Sequence, residues 1–112
     1  MRNVARAWYE RRAQSVDAGA SAFILDFTAD PDSIVYWATV GTDQHLNSLY
    51  EFWVDGTIFE PITGAAQVGT VLNPYRFPGA IPVKSLRLRA YNFNPTPFTY
   101  EVVVAGWTDR KG

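Results

Sequence analysis

The stretch from Val83 to Trp107, VKSLRLRAYNFNPTPFTYEVVVAGW, constrains the fold more than any other part of the chain. Apolar and polar side chains alternate on both sides of a loop rich in Asn and Pro. A period of two marks a strand with one buried face. Leu86, Leu88 and Ala90 fall on one face, and Arg87, Arg89 and Tyr91 on the other. Beyond the loop, Tyr100, Val102 and Val104 alternate with Glu101, Val103 and Ala105. If the two strands pair directly, Arg89 opposite Glu101 also sets Leu88 opposite Val102 and Leu86 opposite Val104. A slip of one residue breaks every match. The charge pair contributes only ~0.2–1 kcal/mol. The apolar face matters more, because each fully buried Leu or Val is worth roughly 1.5–3 kcal/mol. The reverse face, with Arg87, Tyr91, Val103 and Trp107, is too apolar for plain solvent and is a candidate contact with another chain.

The rest of the chain repeats this pattern. Ser15 to Ala18 reads as a short edge strand ending at Gly19. In Ser21 to Thr28 (SAFILDFT), Phe23, Leu25 and Phe27 are expected inside and Asp26 in solvent. Ala29-Asp30-Pro31-Asp32 is a turn. Ser33 to Val40 (SIVYWATV) is apolar on both faces, which predicts a central strand. Leu49 to Val54 is another strand. Asp55-Gly56 then predicts a tight type I′ hairpin that pairs Val54 with Thr57 and Phe52 with Phe59. Ile62 to Val71 has little pattern and reads as a long connection. From Asn73 to Gly79 the prolines deny ladder donors, so a strand there belongs on an edge. Seven or eight short strands with turns between them predict an all-β antiparallel sandwich, jelly-roll or immunoglobulin-like, with a small barrel as the second architecture.

At 112 residues the chain fits one domain. Met1 to Gln14 stands apart as a basic arm, leaving residues 15–112 as the sandwich. Arg2, Arg6, Arg11 and Arg12 face Glu10 alone, and Trp8 and Tyr9 need burial against a partner or against the arm's own domain. If the arm is a separate wrapping segment, its removal leaves a folded sandwich that no longer assembles. A net charge of −1 implies no general attraction to nucleic acid or to an anionic membrane. No apolar run reaches the length of a membrane-spanning helix. The N-terminus lacks the apolar core of a signal peptide, so synthesis and assembly in the cytoplasm are expected. With no cysteine, neither disulfides nor thiolate metal sites are available.

Chemistry-bearing residues are sparse. His45 lies between Asp43 and Asn47 with no second histidine, and reads as a solvated loop residue. Asp30, Asp32 and Asp43 would have to converge to hold calcium, and lack the spacing of an EF-hand loop. Asp26, Glu51, Glu60 and Glu101 are the carboxylates from which a glycosidase pair could be drawn, yet all alternate with apolar neighbours as solvent-facing strand residues do. Trp37, Trp53, Tyr75, Phe77, Tyr91 and Trp107 could stack on sugars if exposed in a row. Tyr75, Arg76 and Phe77 are the best surface candidates, since Pro74 and Pro78 keep them out of a central strand. No catalytic residue, cofactor or metal is assigned.

The segments SVDAGASAFILDFTAD, YEFWVDGTIFEP, NPYRFPGAIPV and YEVVVAGW together resemble the small accessory virion proteins of tailed phages, over most of Ser15 to Trp107. That resemblance implies a compact β-sandwich that decorates a capsid, joins tail parts or bases a fibre, is made in the host cytoplasm and ends in the virion. It carries no functional residue with it. The expected protein is non-enzymatic and meets other subunits, as a homo-oligomer or within a viral assembly, through Arg2, Arg6, Trp8, Tyr9, Arg11, Arg12, Tyr75, Arg76, Phe77, Tyr91 and Trp107. A carbohydrate-binding module is the second reading, with a glycan as partner.

Overall fold

The structure, a computed structural model, describes residues 3–43, 45–59 and 69–111. Eight strands run β1 (Asn3–Val16), β2 (Ser21–Thr28), β3 (Ser33–Thr42), β4 (Ser48–Val54), β5 (Thr57–Ile58), β6 (Tyr75–Val83), β7 (Ser85–Asn92) and β8 (Phe98–Lys111). They form two antiparallel four-stranded sheets, ordered β1-β8-β3-β6 and β2-β7-β4-β5. The pairs β1·β8, β2·β7, β3·β6 and β4·β5 nest like one long hairpin folded across itself. This is jelly-roll connectivity. Of the two sandwich topologies expected, it is the one formed.

The core is built from inward positions of both sheets. Trp37, Tyr50, Phe52, Leu86, Leu88, Ala90, Tyr100, Val102 and Val104 are fully buried there. Leu86, Leu88, Ala90, Tyr100, Val102 and Val104 are the face expected to be buried. Their pairing is not the expected one: β7 lies in the second sheet and β8 in the first, so the Asn- and Pro-rich loop crosses the sandwich. Arg89 stands opposite Glu51 and Phe23, and Glu101 opposite Ala13. Alternation fixes which face is apolar, but not whether the neighbour is beside it in one sheet or opposite it in the other.

Residues 3–14, expected as part of an arm, belong to β1. This strand pairs with β8 in unbroken register from Asn3↔Lys111 to Val16↔Phe98. Of the two fates open to the arm, docking on its own sheet edge is the one adopted. Trp8 and Val16 enter the core, and the Trp8 ring meets Phe27 at 5.0 Å.

The Asp55-Gly56 hairpin forms as expected. Both turn residues have positive φ, Val54 pairs with Thr57, and Phe59 N–H donates to Phe52 O at 2.7 Å. β2 spans Ser21 to Thr28 as read, but its register shifts between Phe23 and Leu25. The extra residue, Ile24, is buried beside Leu25, and Phe23 is turned to the outer face. A second shift lies between Trp37 and Thr39 in β3. Trp37 Nε1 donates to Thr39 O there at 2.9 Å, and Gly106 lies so close beneath that an added Cβ would stand 1.8 Å from Tyr36 O.

Candidate functional site

Asp43 organises one end of the sandwich. Its carboxylate accepts from Glu101 N–H at 3.1 Å and from Tyr50 Oη at 3.4 Å, and lies 3.1 Å from His45 Nε2. His45 is half-buried: Nε2 also meets Thr99 O at 2.7 Å, and the ring stacks on Phe98 at 4.8 Å with Tyr100 edge-on at 4.9 Å. The loop histidine is thus packed rather than simply solvated. Ser48 Oγ is hydrogen-bonded to Tyr100 Oη, not to His45, so these side chains fasten the loop after β3 to β8 without forming a serine–histidine relay. Asp30 and Asp32 lie in the turn before β3, at the far end of that strand from Asp43, so the three do not converge. Among the described residues no three His, Asp or Glu side chains gather as a metal site.

A cleft of about 160 Å³ opens between β1 and the start of β3, lined by Arg6, Trp8, Glu10, Phe27, Asp30 and Ser33 among others. Trp8 Nε1 is buried there without a hydrogen-bond partner among the described residues. Glu10 is engaged by Arg12.

The two outward faces of the sandwich differ in character. On the first sheet, Trp107 stacks on Tyr36 with ring centroids 5.7 Å apart and planes 22° from parallel. Beside them Trp107 is 42% exposed, Ile34 42% and Tyr9 58%. Val103 and Ala105 of β8 continue the apolar surface between them. Arg11 and Glu101 on this face form a two-point contact at 3.0 and 2.8 Å. That contact raises the Arg11 pKa, chiefly through the hydrogen bond to Glu101 and then its charge.

On the second sheet, Arg87 lies 3.7 Å and Arg89 5.0 Å from the Phe23 ring centroid. Such contacts contribute about 0.5–1 kcal/mol at exposed sites. Glu51 accepts from Trp53 Nε1 at 2.9 Å and from Tyr91 Oη at 3.3 Å. Tyr91 also stacks with the exposed Phe93, with ring planes 18° apart.

The structure distributes the expected contact residues over these surfaces. Tyr9, Arg11 and Trp107 share the outer face of the first sheet, and Tyr91 lies on the outer face of the second. Arg87 and Tyr91 are therefore separated from Val103 and Trp107 by the thickness of the sandwich. Arg6 and Arg12 line the inward side of the β1 edge and are exposed. Trp8 and Phe77 are core residues. Tyr75 and Arg76 are exposed at the start of β6. Arg2 and Glu60 lie outside the described residues. Trp37 is wholly buried, and Trp53 is half-buried beside Phe23. Sequence reading missed Ile34 and Tyr36 as surface residues. An apolar run on both faces suggests burial on both, and the same signal fits an outer face left apolar for a partner.

No protein-family model and no curated protein matches the chain. Among solved structures, the chain is similar to the VP2 subviral particle of infectious bursal disease virus, at 13% identity and a TM-score of 0.46. The likeness covers 96% of this chain and 33% of that one, so this chain spans about a third of the viral protein's length.

Proposed function

We propose that this chain is a non-enzymatic structural protein of a virion, of the kind that decorates a capsid or joins parts of a phage tail. It works by setting the outer face of its first sheet against another protein subunit. One observation carries the reading: the stacked Tyr36–Trp107 pair, with Ile34 and Tyr9 beside it, forms an exposed apolar surface. Aromatic groups backed by a rigid sheet are the usual anchors of protein interfaces, and contiguous exposed apolar patches mark contact sites. Arg11 and Glu101 on this face pair with each other.

Jelly rolls serve both viral capsids and lectins. The fold alone therefore does not choose between assembly and sugar binding. The Tyr91–Phe93 stack at the end of β7, on the opposite side of the sandwich, favours a glycan platform.

Sedimentation velocity over a concentration series tests the assembly reading. The native chain is expected to self-associate. Trp107→Arg and Tyr9→Glu, on the same face, should each weaken that association by about tenfold or more, as loss of an interface anchor does. Unchanged association in both variants overturns the face. A monomer that binds a glycan, and loses it in Phe93→Ala, puts the sugar reading in its place.

A further inference from the structure

A sandwich has four free edges, and here three of them are blunted. β5 has two residues, β2 carries the register shift at Ile24, and β6 contains Pro78 and Pro82. Short strands, bulges and prolines are the devices that keep sheet edges from pairing with other chains. β1 has none of them. It runs for 14 residues, pairs among the described residues with β8 alone, and keeps its register without a break. Ala7, Tyr9, Arg11, Ala13 and Ser15 are all exposed along it.

We infer that β1 pairs antiparallel with β1 of a second copy, about a two-fold axis at Arg11, so that two four-stranded sheets become one continuous sheet. This deepens the assembly reading above by naming a second surface and its partner. Charge selects the register. Centred on Arg11, Arg12 stands opposite Glu10 of the second copy, and Glu10 opposite its Arg12. The same register sets the exposed Tyr9 ring opposite Ala13, and Ala7 opposite Ser15. Centred on Glu10, two carboxylates would meet, and centred on Tyr9, Arg12 would meet Arg6. The two Arg11 side chains at the axis each bring their own Glu101. Residues opposite one another lie on the same face, so the exposed apolar surface of one copy continues into that of the other. Arg12 now donates to the carbonyl of Arg11 and to Glu10 of its own strand. On pairing, that donor turns to Glu10 of the second copy and the carbonyl receives a backbone N–H.

Charged residues facing inward along an edge also serve as guards against pairing. The two roles predict opposite results. If β1 pairs, Glu10→Arg sets like charges opposite each other twice and weakens the dimer by about tenfold or more, and Arg12→Glu does the same with the opposite sign. The swap Glu10→Arg with Arg12→Glu restores the dimer. A register centred on Trp8 also joins opposite charges, Glu10 with Arg6, but there the swap would not restore it.

Sedimentation equilibrium gives the mass, and amide hydrogen exchange gives the edge. Protection of β1 amides should rise with protein concentration in the native chain and in the swap, and not in Glu10→Arg. Native-like dimers in Glu10→Arg, or β1 amides that exchange equally at all concentrations, overturn the pairing. Trp107→Arg separates this from the face: a β1 dimer that survives it supports the edge. Loss of all association in Trp107→Arg, with Glu10→Arg unaffected, overturns the edge and leaves the face standing.

Discussion

Tyr50 shows how one buried polar side chain ties stability to pH. Its ring is fully buried on the inner face of β4, and its hydroxyl reaches Asp43 at 3.4 Å. Burial is the main cause that pushes its phenol above the ordinary value of 10, and the Asp43 carboxylate adds to it. The folded chain therefore holds this phenol neutral, while the unfolded chain ionises it near 10. Its contribution is complete below that pH and is lost as pH rises above it, because only the unfolded state releases the proton readily. Tyr50→Phe removes the linkage together with the hydroxyl's hydrogen bonds to Asp43, Thr42 and the His45 backbone, each worth about 0.5–1.5 kcal/mol. The variant should be less stable at neutral pH and should unfold at a higher alkaline pH than the native protein. Circular dichroism with phenolate absorbance through the alkaline range reads both. An unchanged alkaline midpoint would dismiss Tyr50 as the responsible group.

At the scale of elements, local signals read well and partner choice did not. The limits of β2, the Asp55-Gly56 turn, the central place of β3 and the edge place of the proline-bearing β6 all follow from side-chain type and backbone preference. Those properties belong to one segment at a time. The strand at Asn3–Val16 escaped because charges at Arg6, Glu10 and Arg12 fall on its inward side, where alternation calls for apolar residues. An edge strand tolerates inward charges where they still reach solvent, as Arg6 and Arg12 do. The exchange of β7 and β8 between sheets escaped because a period of two is satisfied equally by a sheet neighbour or a facing sheet. The bulges escaped too, and with them the outward turn of Phe23 and its two arginines. The bulge in β3 makes its own prediction. Gly106 lies against Tyr36 O where no Cβ fits, at the point where β3 pairs with β8. Gly106→Ala must part the two central strands or strain them, at a cost of about 1–3 kcal/mol or more. Chemical denaturation should show that loss with the slope preserved, while Gly79→Ala, which meets open space, should cost far less.

For the whole molecule, the nested order of strands makes the two end strands the closure of the wrap. β1 is bonded to β8, and β8 joins it to β3, so residues near the start and the end of the chain complete the first sheet together. An arm could be removed without loss of the sandwich. A closing strand cannot be removed so freely. Deletion of residues 1–16 takes Trp8 and Val16 out of the core and exposes the backbone of β8 along its length. The lost burial alone is worth about 4–6 kcal/mol, against a typical domain stability of about 5–15 kcal/mol. It also leaves an apolar strand, with Tyr100, Val102 and Val104, as a new and unguarded edge. The truncated chain is expected to lose its cooperative thermal transition or to aggregate, and no simple loss of assembly should be seen. Calorimetry and size-exclusion chromatography distinguish these outcomes. A soluble truncated chain with the native midpoint would return β1 to the role of an arm, and would make the β1 edge a detachable connector between copies.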